Sequence, residues 1–74
     1  AQILINMKVK EKRDLQAPDL QAIIHTSKEK LGIGTLLVRY SGTENLLRIM
    51  VQHEDESIAQ SVGNELMKNL EHVL

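Results

Sequence analysis

Residues 35–52 read TLLVRYSGTENLLRIMVQ, in which two aliphatic runs are separated by a short polar segment. The runs Thr35–Tyr40 and Leu46–Gln52 are rich in residues that favour extended strands. The intervening segment SGTEN consists of residues that are typical of turns. We therefore predict a β-hairpin, with the rest of the chain supporting it.

The pairing within this hairpin determines which side chains share a face, because the side chains of a strand alternate between its two faces. If Val38 lies opposite Ile49 on the core side, Arg39 must lie opposite Arg48 on the other side. The two guanidinium groups then repel each other, since directly opposed Cβ atoms are only about 5 Å apart. A dianion between them reverses this repulsion, and the planar donor fork of arginine matches phosphate oxygens. The pattern predicts a phosphate site.

The turn between the arginines supplies further donors for an anion. Its hydroxyl groups can donate, and its glycine permits a positive φ that directs successive N–H groups into one concavity. Five residues are therefore candidate phosphate ligands: Arg39 and Arg48 as charge partners, Ser41 and Thr43 as hydroxyl donors, and Gly42 as a backbone donor.

These residues also carry a resemblance to a known family. RYSGTE at Arg39–Glu44 and LRIMV at Leu47–Val51 resemble the Arg-x-Ser-Gly-Thr-Glu-Pro phosphate-binding loop and following strand of the α-D-phosphohexomutases. The similarity is greatest to the bacterial phosphoglucosamine mutases within that family. ILINMKVK at Ile3–Lys10 is similar to the strand that opens the family's C-terminal domain. One position departs from the family pattern, since Asn45 stands where proline is usual.

The resemblance implies a function for a larger protein of which this chain is one domain. That protein would interconvert glucosamine 6-phosphate and glucosamine 1-phosphate through a bisphosphorylated sugar. The catalytic serine and the magnesium aspartates of the family lie in earlier domains, so no catalytic residue, metal ligand or cofactor is expected here. The expected partners are a hexose or amino sugar phosphate and the preceding domains. Glu44 is expected to orient Arg39 or Arg48, because an unpaired carboxylate would repel the phosphate.

Two alternatives to this function remain open. The first is the same domain of a phosphomannomutase or phosphoglucomutase, which would share the phosphate clamp. The second is a free-standing open-sheet module that binds protein or nucleic acid. Nine Lys+Arg against ten Asp+Glu, one tyrosine and no phenylalanine or tryptophan do not favour nucleic acid, because its recognition uses clustered cations and stacking aromatic rings.

Length and composition indicate one small domain of ordinary globular character, with 74 residues, 42% hydrophobic and 26% charged. The chain contains no cysteine and no apolar run of about 20 residues, the length of a membrane span. We expect a soluble, cytoplasmic chain without membrane contact. Because it begins at Ala1 within a strand pattern, we also expect a fragment of a longer polypeptide.

Periodicity and capping residues predict three further elements. Apolar and polar residues alternate over residues 2–10, which indicates a half-buried strand. Pro18 begins a helix that ends near Leu31, and Asp55 is a suitable N-cap for an amphipathic helix over residues 56–73. The predicted fold is α+β, with order β-α-β-β-α as in the TATA-box-binding protein and both helices on one face of a mainly antiparallel sheet. The predicted core is Ile3, Ile5, Met7, Val9, Ile23, Ile24, Leu36, Val38, Ile49, Val51, Ile58, Val62, Leu66 and Leu70.

Other charged residues are assigned no role in the site. The mixed-charge run Glu11–Asp14 is interpreted as a solvated loop. The adjacent His53, Glu54 and Asp55 lack further ligands at suitable spacing, so we do not predict a metal site. Lys8 would add positive charge near the arginines if the first strand neighbours the hairpin.

Overall fold

The predicted hairpin is present in the computed structural model of the chain, which describes all residues from Ala1 to Leu74. The α+β class and the predicted order of elements are confirmed. In chain order the elements are β1 (Gln2–Lys8), α1 (Pro18–Leu31), β2 (Thr35–Tyr40), β3 (Leu46–Gln52) and α2 (Glu56–Glu71). The first strand ends at Lys8 rather than Lys10, and the last helix ends at Glu71 rather than Val73.

The three strands form an antiparallel sheet in the order β1-β3-β2, with β3 in the centre. The predicted hairpin register is confirmed, since Val38 pairs with Ile49 and Arg39 pairs with Arg48. On the other side of β3, Ile5 of β1 pairs with the same Ile49. The side chains of this Ile5–Ile49–Val38 row share the face that the helices cover.

The helix ends follow the capping residues in the sequence. Helix α1 begins at Pro18 and is followed by Gly32, whose φ of 71° lies in the left-handed region that favours glycine. The Asp55 carboxylate caps α2 by accepting hydrogen bonds from the backbone N–H of Ser57 at 2.9 Å and of Ile58 at 3.4 Å. Neither helix has the length and apolar character that crossing a bilayer requires.

The core lies between the sheet and the helices, and most of its predicted members are buried or half-buried there. The buried apolar residues are Met7, Val9, Leu20, Ile24, Leu31, Leu36, Leu47, Ile49, Val51, Ala59, Val62, Leu66 and Leu70. Half-buried residues packed against them include Ile3, Ile5, Ile23 and Val38.

Ile58 corrects the predicted core, since this residue is 38% exposed. It lies in the first turn of α2, at the edge of a buried stripe that runs through Ala59, Val62 and Leu66. The prediction also left out Leu47, although its parity with Ile49 and Val51 places all of them on one face of β3. Leu20, Leu31 and Ala59 are the other buried apolar residues that the predicted core lacked.

Candidate functional site

The two arginines of the hairpin lie side by side on the sheet face that the helices leave open. Arg39 of β2 pairs directly with Arg48 of β3, and both are exposed. The ion pairs of the structure are Arg13–Asp19 and Lys30–Glu65, and His25 contacts Glu29; none of these contacts includes Arg39 or Arg48. The site therefore contains two adjacent cations without a counter-ion from the chain.

A polar side chain extends this row on the far side of β3. Asn6 of β1 pairs with Arg48, so the row across the sheet reads Asn6, Arg48 and Arg39. The alternation of β1 places Asn6 on the open face, but alternation does not indicate which strand of the hairpin β1 pairs with. Lys8 was expected to add positive charge near the arginines if β1 neighboured the hairpin. β1 does pair with β3, but Lys8 lies opposite Leu46, closer to the hairpin loop than Asn6.

A shallow groove of about 440 Å³ lies on this face. Its lining includes both arginines and Asn6, together with an apolar row formed by Leu4, Met50 and Leu37. Leu4 is 71% exposed and Leu37 is 52% exposed, so the apolar row is open to solvent. The groove is thus lined by two adjacent rows of side chains, a polar row that contains both arginines and an apolar row. The loop residues Ser41–Glu44 do not line this groove.

The hairpin loop begins next to Arg39 and is closed by a 2.9 Å hydrogen bond from the Ser41 N–H to the Leu46 carbonyl. Ser41 is buried, and its Oγ accepts weak 3.4 Å hydrogen bonds from the N–H groups of Thr43 and Glu44. Thr43 and Glu44 are exposed. The Glu44 carboxylate pairs with neither arginine, so its predicted orienting role stays a prediction.

The prediction of a positive φ at Gly42 is wrong. The positive φ of this structure occurs at Gly32 instead. The loop between Ser41 and Leu46 turns without a left-handed residue, with the Ser41 hydroxyl holding its N–H groups. A Cβ added at Gly42 would meet nothing within 4 Å. Neither conformation nor packing within the chain requires glycine here.

The connection between β1 and α1 contacts the loop, which the charge pattern did not indicate. The Lys12 ammonium donates a 2.7 Å hydrogen bond to the carbonyl oxygen of Ser41. The Val9 N–H donates a 2.9 Å hydrogen bond to the carbonyl oxygen of Asn45. The interpretation of Glu11–Asp14 as a solvated loop is therefore wrong for Lys12.

Arg13 fixes the same connection to the two helices. Its guanidinium forms two 3.0 Å hydrogen bonds with the Asp19 carboxylate and a 3.1 Å hydrogen bond with the Val73 carbonyl. The hydrogen bond from Arg13 lowers the pKa of Asp19 below its ordinary value. Tyr40 lies on the core side of β2 opposite Leu47, and burial raises the pKa of its phenol. The aromatic ring of this chain is therefore not part of the open face.

The side chains that could ligate a metal ion are dispersed in this structure. No three His, Cys, Asp or Glu side chains lie close enough together to hold a metal ion. His53 and Asp55 are used locally, since the His53 Nδ1 accepts from the Asp55 N–H at 2.9 Å and the Asp55 carboxylate caps α2. The arrangement of the two arginines offers positive charge and N–H donors of the kind that suit an anion.

Residues 4–69 match the family model of the C-terminal domain of phosphoglucomutase/phosphomannomutase. The chain belongs to this family, which confirms the resemblance seen in the loop and first strand.

Three curated relatives with high sequence identity to this chain are named phosphoglucosamine mutase. Phosphoglucosamine mutase of Citrifermentans bemidjiense is 43% identical over 67 residues, covering 88% of this chain and 15% of that protein. The same enzyme of Geobacter sp. strain M21 is 40% identical over 75 aligned positions, covering 99% of this chain and 16% of that protein. That of Heliobacterium modesticaldum is 46% identical over 63 residues, covering 82% of this chain and 14% of that protein. The chain therefore spans about one sixth of the length of these relatives.

Proposed function

We propose that this chain is the phosphate-binding domain of a phosphohexomutase, in which Arg39 and Arg48 clamp the phosphate group of the sugar substrate. The observation that carries the proposal is their direct pairing without a carboxylate partner. A phosphate dianion between two guanidinium groups converts their mutual repulsion into attraction, and each group can donate two parallel hydrogen bonds to it.

The loop supports this assignment with unpaired donors beside Arg39. The Gly42 N–H and the Thr43 hydroxyl have no hydrogen-bond partner within the chain. The open space beside Gly42 would let a phosphate approach the backbone closely, a use of glycine that the chain's own packing does not explain. We assign the Gly42 N–H and the hydroxyl groups of Ser41 and Thr43 as donors to the phosphate, with the Ser41 Oγ also accepting from the Thr43 and Glu44 N–H groups.

The relatives' names favour glucosamine phosphate as the substrate. We propose that the parent enzyme interconverts glucosamine 6-phosphate and glucosamine 1-phosphate through a bisphosphate intermediate. A clamp made of two arginines and a loop recognises charge rather than sugar hydroxyl groups. It can therefore hold either phosphate of a sugar that turns over between half-reactions.

The chemical step belongs to other domains in this proposal. Phosphoryl transfer needs a nucleophile, a metal and a general base. Ser41 has no histidine among its hydrogen-bond partners, and no metal cluster is present in the chain. We expect this domain alone to be inactive, with the magnesium ion and the transferred phosphate held by preceding domains.

The family description also names phosphomannomutase and phosphoglucomutase, which share the need for a phosphate clamp. Assays of the parent enzyme with glucosamine, glucose and mannose phosphates distinguish these activities. A nucleic-acid-binding module is less well supported, since Tyr40 lies on the core side and leaves no aromatic ring on the open face for base stacking.

The test of the clamp uses the full-length enzyme that contains this chain. Arg39→Ala should lower kcat/KM. The lost transition-state stabilisation should be about 2 to 4 kcal/mol, the scale of losing a preorganised donor to a developing charge. Arg39→Lys should recover only part of this loss, because lysine keeps the charge but not the planar fork. Lys28→Ala removes an exposed cation from α1 and serves as the matched control. Equal kinetics for Arg39→Ala and Lys28→Ala would refute the clamp.

A further inference from the structure

We infer that Lys12 is a positioning residue for the phosphate-binding loop. It lies in the connection between β1 and α1, 29 residues before Ser41 in the sequence. Its ammonium donates to the Ser41 carbonyl at 2.7 Å, a distance typical of a charge-assisted hydrogen bond. The inference rests on the proposed function of the loop, although the contact itself can be tested without it.

The β1–α1 connection holds the loop at both of its ends. Lys12 contacts Ser41 at the start of the loop, and the Val9 N–H donates a 2.9 Å hydrogen bond to Asn45 at its end. The two contacts differ in kind. The Val9 bond is made between backbone groups, whereas the Ser41 bond depends on the identity of one side chain and is therefore open to mutation.

The residue that follows Lys12 connects this segment to the rest of the domain. The next residue, Arg13, binds the Asp19 carboxylate through two hydrogen bonds of 3.0 Å and the Val73 carbonyl at 3.1 Å. These contacts tie the connection to the first turn of α1 and to Val73, which follows α2. Lys12 thus transmits the position of the helical layer to the loop.

The loop depends on such a tether because its own internal hydrogen bonds are weak. The Ser41 Oγ lies 3.4 Å from the Thr43 and Glu44 nitrogens, near the limit of a useful hydrogen bond. Asn45 does not restrict φ as proline would, and no neighbouring atom lies within 4 Å of a Cβ placed at Gly42. Without Lys12, the donors of the loop would occupy a wider range of positions relative to Arg39.

The experiment compares Lys12→Met, Lys12→Arg and the control Lys10→Met in the full-length enzyme. Lys10 is an exposed cation of the same connection and makes no side-chain hydrogen bond. Lys12→Met should raise KM for the sugar phosphate about three- to tenfold with a small change in kcat, the range expected for one partly exposed hydrogen bond that is kept throughout the reaction. Lys12→Arg should restore most of the affinity, and Lys10→Met should leave KM near the wild-type value.

Two further measurements separate positioning from charge and from the proposed function. Amide hydrogen exchange at Thr43 and Glu44 should be faster in Lys12→Met without ligand, while exchange in α2 stays unchanged. Asn45→Pro, added to the Lys12→Met variant, should reverse part of the KM increase, because proline restricts the backbone at the end of the loop.

Equal KM values for Lys12→Met and Lys10→Met, or unchanged exchange in the loop, would overturn the inference. Faster loop exchange together with wild-type kinetics in Arg39→Ala would instead keep the tether and reject the phosphate clamp.

Discussion

Arg39 of β2 and Arg48 of β3 lie directly opposite each other in the antiparallel ladder, and neither forms an ion pair within the chain. Like charges in this arrangement weaken a sheet, on the order of 0.5 kcal/mol per pair. Residues kept at a cost to stability are typical of functional sites, where binding needs a locally unfavourable arrangement. The pair therefore predicts opposite effects on stability and on activity.

Arg48→Ala should leave the free energy of unfolding unchanged or raise it by about 0.5 kcal/mol, because it removes the repulsion with Arg39. The same change should lower kcat/KM of the full-length enzyme as strongly as Arg39→Ala does. Urea unfolding at low and high salt measures the first effect, and the gain should shrink as salt screens the charges. Arg13→Ala is the control, since Arg13 is fully paired with Asp19 and should destabilise the domain when removed. Comparable destabilisation by both variants would show that Arg48 is a structural residue.

Gly42→Ala should separate folding from binding at the loop. The residue does not adopt a left-handed backbone, and an added Cβ meets nothing within 4 Å. Alanine should therefore raise the free energy of unfolding by about 0.4 to 1 kcal/mol, through a more restricted unfolded chain. Affinity for the sugar phosphate should fall, because the methyl group would occupy the space through which the phosphate approaches the backbone. Gly32→Ala should show the reverse pattern, with lower stability at φ 71° and unchanged KM. Unchanged affinity in Gly42→Ala would remove Gly42 from the site.

The elements and the hairpin register could be predicted because their causes are local. With Val38 assumed opposite Ile49, alternation predicted the pairing of Arg39 with Arg48, and Pro18 and Asp55 marked the starts of the helices correctly. The position of β1 beside β3 could not be predicted in this way, since the same alternation fits either edge of the hairpin. The placement of Asn6 beside Arg48 was missed for that reason.

The details of the loop were less predictable than its location. Glycine permits a positive φ but does not require one, and Gly42 uses an ordinary backbone conformation. The contact of Lys12 with Ser41 joins residues far apart in sequence through a flexible side chain. No periodicity or motif reports such a contact, so a charged run such as Glu11–Asp14 cannot be separated from a solvated loop by its sequence alone.

Leu66→Ala and Ile58→Ala should differ strongly, although both residues belong to the apolar stripe predicted for α2. Leu66 is fully buried, so its truncation should cost about 2 to 5 kcal/mol through lost burial and a cavity. Ile58 is 38% exposed, and its truncation should cost about 1 kcal/mol or less. Urea unfolding followed by circular dichroism gives both values. A loss at Ile58 as large as that at Leu66 would place Ile58 in the core after all.

Asp19 should make part of the domain's stability dependent on acid. The hydrogen bond from Arg13 lowers the pKa of the Asp19 carboxyl in the folded state below its ordinary value of 3.8, so the unfolded state binds the proton more readily. The stabilisation is therefore fully present above pH 3.8 and is lost as the pH falls through the lower folded value. Asp19→Asn removes this titration, so the stability difference between wild type and variant should be largest near neutral pH and shrink below pH 3.8.

Unfolding curves at several acid pH values measure the difference, and Asp14→Asn is the control, since Asp14 accepts a hydrogen bond from the Gln16 N–H but has no arginine partner. A difference that stays constant down to the lowest pH would show that Asp19 contributes through its hydrogen-bond geometry and not through its charge.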